Sequence, residues 1–130
     1  MDKRFDGLEN NAEIVTEMPL CNELLTTVRL MTGSLCSSVG IDVDYTEDVK
    51  VCVTEGLLLL KRSGFTRVKI VFRCGDEGEL ACSVFGAGER GAAEKPSPAD
   101  EISLVLLSAL VKKFDVKKEG NVVSEISFSA

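Results

Sequence analysis

The spacing of apolar residues changes several times along the chain, and each change marks an element. From Ala12 to Met18 the pattern alternates, with Ile14, Thr16 and Met18 on one side and Val15 and Glu17 on the other. A period of two is that of a strand with one buried face, here a short edge strand. Pro19 follows and is placed to open a helix. Leu20, Leu24, Val28, Met31 and Leu35 then recur every three or four residues, predicting a helix of about 18 residues that stops at Gly40. Asp44-Tyr45-Thr46-Glu47 has capping-box spacing, so a second helix is expected to start there. It carries Val49, Cys52, Val53, Gly56, Leu57 and Leu60. Lys61 and Arg62 suit its carboxyl end, and Gly64 suits the left-handed position beyond it. The turn Leu57 to Leu60 is apolar all round and must be covered on more than one side.

Alternation returns at Phe65 to Arg73, where Val68, Ile70 and Phe72 share a face. A Gly75-Asp76-Glu77-Gly78 turn leads to a second alternating run, Leu80 to Phe85, which makes a hairpin. Residues 86–98 are rich in Gly, Ala and Pro and read as a long loop. Ser97-Pro98-Ala99-Asp100 is a helix start, with Ser as cap and Pro at the first position. Ile102, Val105, Leu106, Ala109 and Leu110 form the expected buried stripe of this helix, widened by Leu104, Leu107 and Val111. A second hairpin follows, turning at Glu119-Gly120-Asn121. The order is strand, helix, helix, hairpin, helix, hairpin. It predicts an α+β two-layer sandwich, a mostly antiparallel sheet with helices on one face.

Composition narrows the chemistry. The chain has 130 residues, 45% of them hydrophobic, and a net charge of -6. That length and apolar content predict one domain over 12–130, preceded by a flexible arm over 1–11. The acidic balance argues against nucleic acid and anionic membranes as partners. With no His, imidazole-based triads and imidazole metal ligands are excluded, and no metal site is expected. No apolar run approaches a membrane span, and the first residues lack a signal-like apolar segment, so a cytoplasmic protein is expected. The five cysteines, Cys21, Cys36, Cys52, Cys74 and Cys82, form no Cys-x-x-Cys pair and are read as reduced structural thiols. Cys74 and Cys82 flank the first hairpin and are placed to face each other.

Val51 to Leu59 on the second helix, with Glu55 inside it, and Val28-Arg29-Leu30 and Gly40-Ile41 around the first helix carry a resemblance. They resemble the small serine-kinase and anti-sigma-factor branch of the histidine-kinase-type ATPase fold, over about residues 12–128. In that family a Glu aids catalysis and an Asn one turn later helps hold Mg²⁺. Glu55 matches the Glu, while Leu59 occupies the Asn position. A strand ending in Asp-x-Gly contacts adenine in the family; Gly86 replaces the Asp here and Gly88 keeps the Gly. The glycine-rich entry to the last helix is replaced by Asp100-Glu101-Ile102-Ser103-Leu104.

Each departure removes a nucleotide contact. Leucine offers Mg²⁺ no oxygen, and glycine offers the adenine amine no carboxylate. Asp100 and Glu101 place negative charge where a helix start would otherwise receive phosphate. The nucleotide site is therefore expected to be degenerate, collapsed and apolar, with Leu58 or Leu59 filling it, with no cofactor and with Glu55 as a vestige. Gly86 to Gly91 also spells Gly-x-Gly-x-x-Gly, but without the strand-to-helix setting of a dinucleotide site it reads as loop. The resemblance then implies a regulatory protein-binding module like an anti-sigma factor, with a sigma factor or its antagonist as partner and a homodimer as its assembly. Met18, Leu20, Leu24, Met31 and Leu58 are the partner-binding candidates. Two alternatives stay open: an ATP-dependent serine kinase with an atypical site, and a small-ligand-binding scaffold.

Overall fold

The computed structural model describes residues 12–75, 78–92, 98–120 and 122–130. The expected arm over 1–11, the capping Ser97 and the centres of both hairpin turns lie outside the described residues. Strands β1 (Glu13–Pro19), β2 (Phe65–Cys74), β3 (Leu80–Arg90), β4 (Lys113–Glu119) and β5 (Val122–Ser129) form one antiparallel sheet, in the order β1-β2-β3-β5-β4. Helices α1 (Leu25–Val39), α2 (Val43–Arg62) and α3 (Pro98–Leu110) pack on one face. This is the two-layer α+β sandwich that the periodicities predict.

The core lies between α2 and the central strands. Val68, Ile70 and Phe72 of β2, Leu80, Cys82 and Val84 of β3 and Ile126 and Phe128 of β5 point at the helices. Val49, Cys52, Val53, Leu57 and Leu60 of α2 meet them. Gly56 lets α2 approach closely, since a Cβ there would lie 3.3 Å from Val84 Cγ2. Three of the four consecutive leucines, Leu57, Leu59 and Leu60, are buried, and Leu58 is half-buried. The apolar turn is covered on several sides, as its composition requires.

Several boundaries differ from the expectations. Pro19 ends β1 rather than opening a helix. Leu20 N–H still bonds to Thr66 O at 2.9 Å, so the chain stays extended until a short 3-10 turn over Asn22–Leu24. Gly40 does stop α1, at φ 86, and Ile41 N–H bonds back to Cys36 O at 2.9 Å. That tight reversal makes Asp42, not Asp44, the cap of α2; its carboxylate accepts from Tyr45 N–H at 2.8 Å. Gly64 has the expected left-handed conformation, with φ 96.

Two corrections matter for function. Residues 86–90 are not loop. They prolong β3, because β2 runs back to Phe65 and gives them backbone partners: Val68 pairs with Gly86 and Arg67 with Ala87. The stripe assigned to the core side of α3 is also rotated. Ser103 and Leu107 are buried, with Leu104 and Leu110 against the core, whereas Ile102, Val105 and Ala109 face solvent.

Candidate functional site

The rotation of α3 has a cause in its neighbour. Glu55, Leu59 and Arg62 lie one turn apart along a face of α2, since residues four and three apart share a face. Asp100, Ser103 and Leu107 line the matching face of α3. Arg62 Nε donates to Asp100 Oδ1 at 2.6 Å, and its Nη2 donates to Ser103 Oγ at 2.8 Å and to Ala99 O at 3.4 Å. Ser103 Oγ in turn donates to Glu55 Oε2 at 2.6 Å. One guanidinium and one hydroxyl thus join two acids across the helix pair. Ser103 is only 1% exposed, so this chain of bonds draws the polar side of α3 inward and turns Ile102 and Val105 out. The side chains of Arg62 and Asp100 are 18% and 35% exposed, so the pair is stronger than an ordinary surface ion pair.

The positions singled out by the resemblance fall around this cluster. Leu59 is 2% exposed and belongs to the core. Glu55 is half-buried and spent on Ser103. Asp100 is neutralised by Arg62, while Glu101 is exposed on the solvent side. The expectation of a collapsed, apolar region therefore needs correction. It is apolar at Leu59 and Leu107, but a hydrogen-bonded ionic network lies beside them. Gly86 is on the helix-facing side of β3, and a Cβ there would overlap the Phe65 ring. The Phe65 ring takes the space that a side chain at position 86 would need. Gly88, at φ 76, forms the irregularity between the Phe65–Arg90 and Arg67–Ala87 pairs. Because this Gly-x-Gly-x-x-Gly run belongs to an antiparallel strand, it does not have the strand-to-helix geometry of a dinucleotide site.

The cations at the end of α2 are engaged within the chain. Lys61 Nζ donates to Asn22 Oδ1 at 2.7 Å, tying α2 to the 3-10 turn, and Arg62 holds α3. Among the expected partner-binding residues, Leu20 is buried, Met18 and Met31 pack against the core, and Leu24 and Leu58 are half-buried. Met31 Sδ also accepts a long bond from Thr16 Oγ1 at 3.8 Å, between α1 and β1. An apolar line is offered to solvent on α3, at Ile102, Val105 and Ala109, while Val15, Leu30 and Val43 are exposed singly elsewhere. Sequence periodicity concealed it, because an exposed stripe and a buried stripe share the same spacing. The polar Ser103 amid apolar neighbours was the one available signal.

Two open clefts lie near the β2–β3 turn and the α1–α2 turn. One of about 440 Å³ is lined in part by Arg73, Glu79, Lys112 and Lys113; the other, of about 470 Å³, by Ile41, Asp42, Tyr45 and Lys112. Burial raises the Tyr45 hydroxyl above its ordinary value, with Cys52 and Asp48 adding to the shift.

Cys36, Cys52, Cys74 and Cys82 are buried and Cys21 is partly exposed. Cys74 pairs with Leu80 and Cys82 with Phe72, so the two cysteines of the hairpin are offset rather than opposite. Burial pushes the Cys52 thiol up to about 12, helped by the charges of Asp48 and Glu55, and it raises Cys36, Cys74 and Cys82 as well. Among the described residues no group of three or more Cys, Asp or Glu side chains is placed to hold a metal ion, and no helix is long and apolar enough to cross a membrane.

No family model matches this sequence, and no match to it is found among curated proteins.

Proposed function

We propose that this chain is a regulatory protein-binding module, resembling an anti-sigma factor, that acts without binding ATP and without kinase activity. The observation that carries the reading is the outward face of α3. Ile102 and Val105 are 58% and 63% exposed, and Ala109, also exposed, continues the same line one turn on. An apolar line of this kind on a helix fits a complementary apolar groove. Glu101 is exposed beside it and the chain carries a net charge of -6, so the partner has an apolar groove with a basic rim. A sigma factor or its antagonist is the class that the resemblance suggests.

Nucleotide independence is supported by the neighbouring cluster. Glu55 is held by Ser103, Leu59 is in the core and the Phe65 ring fills the space at Gly86. Leu59 and Gly86 have no side-chain oxygen to offer Mg²⁺ or adenine, and one of the two Glu55 oxygens, Oε2, is engaged by Ser103. In place of a nucleotide, the Arg62 network fixes α3 in the orientation that displays its apolar line.

The test uses the full chain with a photo-reactive residue at Val105, cross-linked in the cells that make it. The expected result is one discrete partner which, once purified, binds the wild type and loses about tenfold in affinity with Val105→Glu. Equal binding of that partner to wild type and V105E, or no cross-linked protein, would reject the reading.

A further inference from the structure

The face of the sheet away from the helices carries a charge pattern that a second copy of this chain would complement. Its outward residues form rows across the strands. One row runs Glu13, Arg73, Ala81, Ser129, Lys113, and another runs Glu17, Lys69, Phe85, Glu125, Lys117. Between them lie Val15, Val71, Ser83, Ser127 and Asp115. By strand, in the order β1, β2, β3, β5, β4, the charges in the second row are negative, positive, none, negative, positive. The central strand shows only Ala81, Ser83, Phe85 and Ala87 on this face, so its middle is low and without charge.

We propose that two copies pair through this face about a two-fold axis parallel to the strands and lying over β3. Such an axis places β1 opposite β4 and β2 opposite β5, with β3 on itself. Glu13 then meets the second copy's Lys113, Glu17 meets its Lys117, Lys69 meets its Glu125, and the two Phe85 rings meet at the centre. The middle row sets Asp115 against Val15, a desolvation cost limited by the place of both on edge strands at the rim of the face. A two-fold axis across the strands would instead stack β1 on β1 and β2 on β2. With that axis through the middle row, Glu13 would face Glu17, Lys69 would face Arg73 and Lys113 would face Lys117, which is costly at an interface. The charge order thus selects one of two symmetric pairings, and sheets stacked with their strands nearly aligned are an ordinary packing mode.

Within one copy these side chains are already partly paired: Arg73 Nε with Glu13 at 2.9 Å, Arg67 Nε with Glu17 at 3.6 Å and Lys117 Nζ with Glu125 at 3.6 Å. Lys69 Nζ lies 5.8 Å from the centre of the Phe85 ring. Glu125 also accepts from Ser127 Oγ at 3.3 Å. Facing a second copy would join these pairs into networks. Five strands about 4.8 Å apart, paired over about seven residues, give a face of roughly 24 by 23 Å, so pairing removes about 1,100 Å² from water in total. That just exceeds the area of about 1,000 Å² expected of a specific interface.

The experiment is sedimentation equilibrium of wild type, Lys69→Glu and Glu125→Lys, each alone, and of the two variants mixed. Circular dichroism checks that each is folded. Wild type is expected to dimerise at micromolar concentration, and each variant alone to weaken that by about tenfold or more, because like charges then face each other twice. The mixture is expected to recover association. In a mixed pair the acid introduced by K69E meets the cation introduced by E125K, and the unchanged Lys69 of one copy meets the unchanged Glu125 of the other. Lys69 and Glu125 are on non-adjacent strands of one copy, so a purely internal effect could not restore pairing on mixing. A monomeric wild type, variants that dimerise as well as wild type, or a mixture that stays monomeric would each overturn the proposal.

Discussion

Leu59→Asn introduces the residue type that the resembled family has one turn after its glutamate, and so asks whether this position is a ligand site or core. Leu59 is 2% exposed. Removing a buried leucine forfeits about 2 kcal/mol of apolar burial. Leaving an amide among Leu-rich neighbours without a partner costs about 1–3 kcal/mol more. The combined loss is about 4 kcal/mol. A chain of this length unfolds with an entropy near 0.27 kcal/mol/K, so Tm should fall by about 15 °C. Thermal and urea unfolding followed by circular dichroism measure this directly. Leu59→Met is the control, and by conserving volume it should cost less than about 1.5 kcal/mol. An L59N variant within about 1 kcal/mol of wild type, or one that gains Mg²⁺-dependent nucleotide binding, would refute the reasoning.

Other consequences can be checked on the same preparations. Arg62→Met keeps the aliphatic stem but strands Asp100; since that carboxylate is 35% exposed, the cost is about 1–2 kcal/mol rather than that of a fully buried pair, read as a fall in the urea midpoint. Gly86→Ala should destabilise by about 1–3 kcal/mol, because its Cβ collides with the Phe65 ring, and adding Phe65→Leu should recover part of the loss. In the native protein a thiol reagent should modify Cys21 rapidly and the other four only on unfolding, since those four are buried with raised thiols. The same shifts set the sign at alkaline pH. The unfolded thiols ionise near 9 while folded Cys52 holds its proton to about 12, so stability is full below pH 9 and declines from 9 towards 12. A Cys52→Ala variant should flatten that decline.

Much of the architecture was legible because one buried face imposes a period. The alternation at Val68, Ile70 and Phe72 and the spacing of Val49, Cys52, Val53 and Leu60 place both the sheet and its central helix. What failed depended on partners distant in sequence. Leu104, Leu107 and Val111 are as apolar as Ile102, Val105 and Ala109; the bond that Ser103 accepts from Arg62 and the one it donates to Glu55 decide which set turns inward. The strand from Gly86 to Arg90 looked like loop because glycines lack side-chain periodicity, and its regularity comes from the backbone of β2. Met18, Leu20 and Met31 are apolar for the ordinary reason that they pack: Leu20 is buried, and Met18 and Met31 contact the core. Glu55 was visible as a candidate, but its bond to Ser103, 48 residues away, was not.

The central claim is that α3 is held by the protein's own side chains, with no role for a nucleotide. Calorimetric titration of the purified full chain with ATP and Mg²⁺ tests it most directly. The account predicts no saturable heat up to millimolar ATP, and no shift in Tm with nucleotide. Saturable binding at micromolar ATP would contradict it and would make the Glu55 cluster a switchable nucleotide site.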